Sequence, residues 1–341
     1  MRFPGLRATV LAGTLLGGMA LPAAGVLGVA SVALGAGCAP AGTTGLTAAL
    51  IAVPAQTISG TIDATRCDIG VYVGPNVRDV VINGASISGA NDHGILVQDT
   101  SRVTIENSTI SGNGVKPHGG LPEDKAIALV GTSASLVLDN TVTGNRADGG
   151  IAITDDGPVN PSAPEPGSLL PGIGNQVIGN TVSGNLNGCG IVLSAYNAGG
   201  SAGVRDNLVR GNIVTGMPGK FPPVVGGVVV AADSPGSYAL SNTIEFNTIT
   251  GNFLPGVVIH SNTPGDIVAG TVVRENTISG NDWGTSLGPK KPAGIVVIGE
   301  VAPVWDTFVE GNQISGQDFG VWASNAVNLF TNDVPVSTSS R

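Results

Sequence analysis

The chain has 341 residues, including 53 Gly and 22 Pro, with only 11% charged residues and a formal net charge of −9. Hydrophobic residues reach 42%, which excludes a disordered chain and indicates a turn-rich, β-dominated fold. The acidic balance argues against nucleic acid as a partner, because phosphates are bound by Lys and Arg.

The N-terminus has the pattern of an export signal. Arg2 and Arg7 lead a long apolar run, and cleavage after Ala41 would follow the small-x-small sequence APA. Residues 1–41 are therefore predicted to be a signal peptide, which places the mature protein outside the cytoplasm. Two alternatives stay open, namely lipidation at Cys38 and retention of the run as an anchor. Membrane contact is predicted only through this segment.

The cysteines do not form a disulfide framework. Cys38 and Cys67 could pair in an oxidising compartment, unless Cys38 carries lipid or leaves with the signal. Cys189 is expected to be a small buried residue.

Two short motifs recur along the chain in a fixed order. The first is a polar turn, written DNTVTGN at 139–145, GNTVSGN at 179–185, FNTITGN at 246–252 and RENTISGN at 274–281. The second is an apolar strand led by Gly or Ala, in nine copies at 68–73, 92–97, 124–129, 148–153, 188–193, 225–230, 254–259, 292–297 and 318–323. Such self-similarity predicts a solenoid.

Alternation within the second motif indicates strands, since every other residue is aliphatic and many are β-branched. These residues are predicted to face the core: Val71, Val73, Ile95, Val97, Ile127, Leu129, Ile151, Ile153, Ile191, Leu193, Val228, Val230, Val257, Ile259, Ile295 and Val297. The density of Gly excludes helical repeats.

The polar turn suits a corner between strands. Asn tolerates left-handed backbone and Gly supplies positive φ, while an Ile or Val between them enters the core. One Asn per turn is predicted to stack as a ladder with ~4.8 Å steps: Asn140, Asn180, Asn212, Asn247, Asn276 and Asn312. The prediction is an all-β protein, a single right-handed parallel β-helix of about nine or more rungs over residues 61–330. Residues 42–60 would cap its N-terminal end and residues 331–341 would form a C-terminal tail.

These short N-x-I-x-x-N repeats resemble those of the pectate-lyase-like superfamily of right-handed parallel β-helix proteins. The resemblance spans residues 60–330 and implies the fold. Polysaccharide lyases, hydrolases, uronate epimerases and phage adhesins share that fold, so it does not select among activities.

The alternate positions of the Gly-led strands are predicted to face outward. They form one apolar row: Tyr72, Leu96, Ala128, Ala152, Val192, Val229, Val258, Val296 and Trp322. This row could line a substrate groove flanked by long insertions, or the insertions could simply cover it.

A column of carboxylates is the sharpest polar feature. Asp68, Asp92, Asp124 and Asp148 each stand two residues before the Gly or Ala of consecutive strands. Because stacked carboxylates repel one another, they are expected either to splay out as turn caps or to share a cation or a proton. Calcium suits such oxygen ligands, and the resemblance to superfamily lyases implies the same ion.

His93 and Lys125 follow two of these aspartates and are expected to be exposed beside them. Together with Asp92, Asp124 and Asp148 they form a candidate acid/base cluster. Proton abstraction next to a carboxylate needs a base and a positive charge that stabilises the anion. One hypothesis is therefore an exported protein that binds or modifies polysaccharide, with lyase- or epimerase-like chemistry. The alternative is a non-catalytic structural or adhesion module of the cell envelope.

Overall fold

A computed structural model of the protein describes residues 30–31, 37–116, 125–146, 149–155, 170–197, 203–218, 226–282, 292–332 and 336–338. All regular elements in these ranges are strands, and they stack into three sheets that run along one solenoid. The prediction of an all-β, single parallel β-helix is confirmed. The described ranges hold no helix with the length and apolar character needed to cross a bilayer.

Sheet 1 contains the Gly-led strands. Its strands are Ala39–Pro40, Thr47–Ile51, Ile69–Val73, His93–Gln98, Ile127–Val130, Gly149–Thr154, Cys189–Ala195, Val228–Ala232, Val257–Ser261, Ala293–Gly299, Phe319–Ser324 and Val336–Thr338. All pair in parallel except Ala39–Pro40, which runs antiparallel to the next strand.

Sheet 2 contains the strands on both sides of the polar turn. The first three strands of the sheet are Ala30–Ser31, Thr57–Asp63 and Val81–Ser88. In the later rungs, the strands before the turn are Thr104–Glu106, Leu136–Leu138, Gln176–Ile178, Leu208–Arg210, Thr243–Glu245, Val272–Arg274, Phe308–Glu310 and Phe330–Thr331. Those after it are Thr109–Ser111, Thr141–Thr143, Thr181–Ser183, Ile213–Thr215, Thr248–Thr250, Thr277–Ser279 and Gln313–Ser315.

Sheet 3 is a short ladder at a third side of the coil. Its strands are Gly172–Ile173, Val204–Arg205, Tyr238–Leu240, Ile267–Ala269, Val304–Trp305 and Ala326–Val327.

One apolar core fills the coil from end to end. All the aliphatic residues predicted to face inward from sheet 1 belong to it. The Ile or Val of the polar turn also enters this core, as Val142, Val182 and Ile249 show with no exposed surface. The core explains the strand alternation, because each rung contributes β-branched residues that stack on the rung below.

The predicted Asn ladder is confirmed. The side-chain amide of each Asn donates to the side-chain oxygen of the Asn in the next rung, from Asn140 through Asn312, at 2.9–3.0 Å. Two further ladders exist that the sequence pattern did not single out. One joins Asn113, Asn145 and Asn185 and resumes at Asn252 and Asn281; the other joins Asn175, Asn207 and Asn242.

Glycine leads the sheet 1 strands because the rungs approach closely there. A Cβ on Gly94 would lie 2.5 Å from Cγ2 of Ile110 and 2.7 Å from the carbonyl oxygen of Ala126. Both contacts are too short for a side chain, so this corner requires glycine.

The N-terminal end of the coil is tied by a disulfide between Cys38 and Cys67. Ala41 is fully buried beside this end, and Ala39–Pro40 pairs with Thr47 and Ala48. The two cysteines therefore pair in this structure, which is one of the possibilities that the sequence left open. Cys189 is buried, as expected, and is not part of a disulfide.

Candidate functional site

Asp68 and Asp92 directly precede two neighbouring strands of sheet 1. The amide of Asp92 donates to the carbonyl oxygen of Asp68 at 2.9 Å, so the two residues lie on adjacent rungs. Oδ2 of Asp68 accepts from the amide (2.8 Å) and hydroxyl (2.7 Å) of Thr47, and Oδ1 accepts from Nδ2 of Asn91 at 3.2 Å. Through these hydrogen bonds, Asp68 joins its own rung to the rung before it and to the rung after it.

His93 and Lys125 lie next to each other on the following rungs, and both are buried. The side chains are 5% and 6% exposed, so the expectation that they are exposed is wrong. The strand of His93 begins at that residue, and its outward face is covered. Nδ1 of His93 lies 3.2 Å from the carbonyl oxygen and 3.3 Å from the amide nitrogen of Lys125.

The pKa of His93 is lowered to about 4, mainly by burial; the hydrogen bond to the Lys125 backbone raises the pKa, and the positive charge of Lys125 lowers it. The imidazole is therefore neutral at neutral pH. A neutral imidazole can accept a proton, and the charge of Lys125, which acts on this ring, can stabilise an anion that forms nearby.

The predicted site residues are only partly brought together by the described structure. It places Asp68, Asp92, His93 and Lys125 on three successive rungs of one sheet. Asp124 and Asp148 lie outside the described residues. Within the described ranges there is no group of three or more His, Cys, Asp or Glu placed to hold a metal ion.

The apolar outer row of sheet 1 is covered. Its members are at most 7% exposed and form two clusters outside the central core. Of the two possibilities that the sequence left open, the covered face is the one observed, and the described residues show no open groove along this row.

Two buried polar groups were not identified as such from sequence. Asp155 has no exposed surface; its carboxylate accepts from the amides of Tyr196 (2.8 Å), Asn197 (3.3 Å) and Gly203 (2.7 Å). Burial raises the pKa of Asp155, and these hydrogen bonds oppose that rise. His260 lies between Ala231 and Ile298, is 2% exposed, and its Nδ1 has no hydrogen-bond partner.

Comparison with solved structures identifies similar folds. The mannuronan C-5 epimerase AlgE6 A-module of Azotobacter vinelandii is 19% identical, with 80% of this chain and 68% of that chain aligned and a TM-score of 0.53. The AlgE4 A-module of the same organism is 14% identical, over 83% and 88% of the two chains, with a TM-score of 0.45. PfbA, a surface adhesin of Streptococcus pneumoniae, is 13% identical over 87% and 83%, with a TM-score of 0.49.

No curated protein matches the sequence. A family model described as "Right handed beta helix region" matches residues 56–237, just over half of the chain. This match agrees with the parallel stacking of the three sheets and with the continuous core. The chain therefore belongs to the right-handed β-helix family.

Proposed function

We propose that this is an exported protein that binds or modifies an acidic polysaccharide through the outer face of sheet 1. The observation that carries the proposal is the buried contact of His93 with Lys125, next to Asp92. In a chain with 11% charged residues, burying several ionisable groups on three rungs of an otherwise apolar face is unfavourable. Groups of this kind, with a shifted pKa, cluster at functional sites.

The chemistry that these residues fit is proton abstraction from the carbon beside a uronate carboxylate. The neutral imidazole of His93 or the carboxylate of Asp92 would take the proton, and Lys125 would stabilise the resulting anion. In a lyase, the bond from the neighbouring carbon to the glycosidic oxygen then breaks, and the leaving oxygen takes up a proton. In an epimerase, a proton returns to the same carbon from the opposite face.

The likeness to the mannuronan C-5 epimerase module concerns the fold. That protein's name places an acidic polysaccharide among the substrates of such folds, and an extracytoplasmic location fits both that substrate and the predicted export signal. Access of a sugar chain to His93 requires the cover of the outer face to open, because the cluster is buried.

A second candidate function is a structural or adhesion module. It is favoured by the burial of the entire outer row and by three hydrogen-bonded Asn ladders, which together describe a stiff rod without an open groove along that row in the described ranges.

The test is to incubate the purified protein with alginate, polygalacturonate and neutral polysaccharides. Ultraviolet absorbance of unsaturated uronates reports a lyase, and solvent deuterium incorporation at the uronate carbon reports an epimerase. Lys125→Met and Asp92→Asn should abolish product, whereas Lys116→Met, which removes an exposed lysine, should not. Binding without product would leave a polysaccharide-binding protein. No product and no binding by the folded protein would favour the rod.

Calcium is proposed as a cofactor of the same face. Asp68 and Asp92 supply carboxylates on adjacent rungs, and a divalent cation would reduce their repulsion. Thermal unfolding should then shift upward with calcium and return with a chelator, and the Asp92→Asn variant should not respond. An unchanged midpoint in the parent protein would exclude the ion.

A further inference from the structure

Phe246 occupies a corner of the coil that other rungs give to small or polar residues. The residue that follows the first sheet 2 strand of each rung has positive φ throughout: Asn107, Asp139, Gly179, Gly211, Phe246, Glu275 and Gly311. Phe246 has φ of 57°. A bulky side chain rarely adopts this left-handed backbone, whereas Gly does so without strain.

This strain is not offset by burial of the ring, because Phe246 is 48% exposed. The guanidinium carbon of Arg210 lies 4.8 Å from the ring centroid, an arrangement typical of a cation–π contact. A strained residue that keeps a large apolar surface in solvent is a candidate for a binding role, since neither the backbone nor the core benefits from it.

The charged residues around the ring are held in place by one carboxylate. Glu245 is buried; its Oε1 accepts from Nη1 of Arg210 at 2.7 Å, and its Oε2 accepts from Nε and Nη2 of Arg274 at 2.7 Å. The side chains of Arg210 and Arg274 are 50% and 46% exposed, so donors remain available at the surface. The result is an exposed aromatic ring beside two preorganised guanidinium groups.

The local charge argues against an anionic ligand. Arg210 and Arg274 are opposed by Glu245 and by two exposed carboxylates, Glu275 on the same corner column as Phe246 and Glu310 in strand register with Arg274. Two cations and three carboxylates do not make a positive field. They do supply both donors and acceptors for the hydroxyl groups of a neutral ligand.

From these observations we infer that Phe246, Arg210 and Glu275 form a binding site for a neutral sugar ring. The apolar face of the sugar would stack on Phe246, and its hydroxyl groups would bond to the guanidinium and carboxylate groups. This surface lies on sheet 2, whereas Asp92, His93 and Lys125 lie on sheet 1. It therefore goes beyond the proposed function by naming a second carbohydrate surface that does not depend on the first.

The test is native electrophoresis of the purified protein through gels containing dextran, soluble β-glucan, galactomannan or alginate. The acidic protein migrates without added charge, and binding retards it. We expect retardation in at least one neutral gel and a loss of affinity of about tenfold or more in Phe246→Gly. The same substitution should raise the melting temperature, because Gly179, Gly211 and Gly311 stand at this corner in other rungs.

Three variants separate the possible outcomes. Arg210→Gln should also weaken retardation. Ile267→Thr removes another apolar side chain, one that is 49% exposed on sheet 3, and should leave retardation unchanged. Lys125→Met should leave it unchanged as well, which separates this site from the proposed uronate site. The inference is overturned by a parent protein that no neutral gel retards, by retardation in alginate alone, or by a Phe246→Gly variant that binds normally or melts at a lower temperature.

Discussion

The ring Nδ1 of His93 contacts the backbone of Lys125 at two points, 3.2 Å from its carbonyl oxygen and 3.3 Å from its amide nitrogen. Because the ring is buried next to a lysine, its protonation opposes folding. The pKa is about 4 in the folded protein against an ordinary 6.5. Between these values the unfolded chain binds more protons, so stability is full above pH 6.5 and falls as pH drops toward 4.

We expect this effect to reach about 3 kcal/mol near pH 4. Urea unfolding at neutral pH and near pH 4 would measure it, with His93→Gln as the comparison. The variant should lose less stability than the parent over the same interval. Equal losses in the two proteins would mean that His93 is not the group responsible.

Replacing one member of the Asn ladder should weaken the fold severely. Asn180 uses every polar atom of its side chain: Nδ2 donates to Val137, Ile178 and Asn212, and Oδ1 accepts from the amide and side chain of Asn140. Asn180→Ala would leave several of these groups buried without partners.

We expect that loss to lower the free energy of unfolding by about 3 kcal/mol or more. Asn83→Ala is the matched control, because Asn83 is exposed, and it should change the free energy by less than about 0.5 kcal/mol. Similar unfolding curves for the two variants would contradict the structural role of the ladder.

Met217 stands where the second ladder would place another Asn. It is 3% exposed, and its amide donates to Oδ1 of Asn252 at 3.1 Å, as the ladder amides do. Met217→Asn should therefore be tolerated within about 1 kcal/mol, since new side-chain bonds to Asn185 and Asn252 offset the lost apolar packing. Val214→Asn, a polar substitution at a core residue in the same rung, should cost more than about 3 kcal/mol. Thermal and urea unfolding of both variants would measure the two losses of stability, and equal losses would contradict the prediction.

The disulfide leads to a prediction about processing. Cleavage after Ala41 would remove Cys38, leave Cys67 unpaired and delete the fully buried Ala41. We therefore expect any processed form of the protein to begin before Cys38 and to contain one reduced thiol, that of Cys189. Intact mass with thiol titration measures both. A second reduced thiol, or a chain starting at Gly42, would contradict the expectation. Replacing both Cys38 and Cys67 with Ser should cost about 2–4 kcal/mol.

The apolar core and the first Asn ladder could be predicted from the sequence, because the residues of the repeat determine them through local interactions. Ile or Val between Asn and Gly identifies the core, and Asn at a fixed offset predicts a ladder. The second ladder was also present in the sequence, as the final Asn of each GN pair such as Asn145 and Asn185. The third was harder to see, since Asn175, Asn207 and Asn242 lie outside the turn motif.

The burial of residues on the outer face of sheet 1 could not be predicted in the same way. Strand alternation determines which face Leu96 occupies, but burial depends on segments distant in sequence that cover that face. The partners of Asp68 illustrate this, because Thr47 belongs to an earlier rung with no repeat motif. Phe246 could not be identified as a candidate binding residue because it stands inside a motif with the sequence of an ordinary polar turn.

All three Asn ladders donate in one direction, from each rung to the next toward the C-terminus, as Asn113, Asn140 and Asn175 each do. The amide dipoles are thus aligned head to tail, and each bond polarises its neighbour and strengthens it. The coil is consequently polar along its axis, because each side-chain oxygen within a ladder faces the rung before it and accepts from that rung.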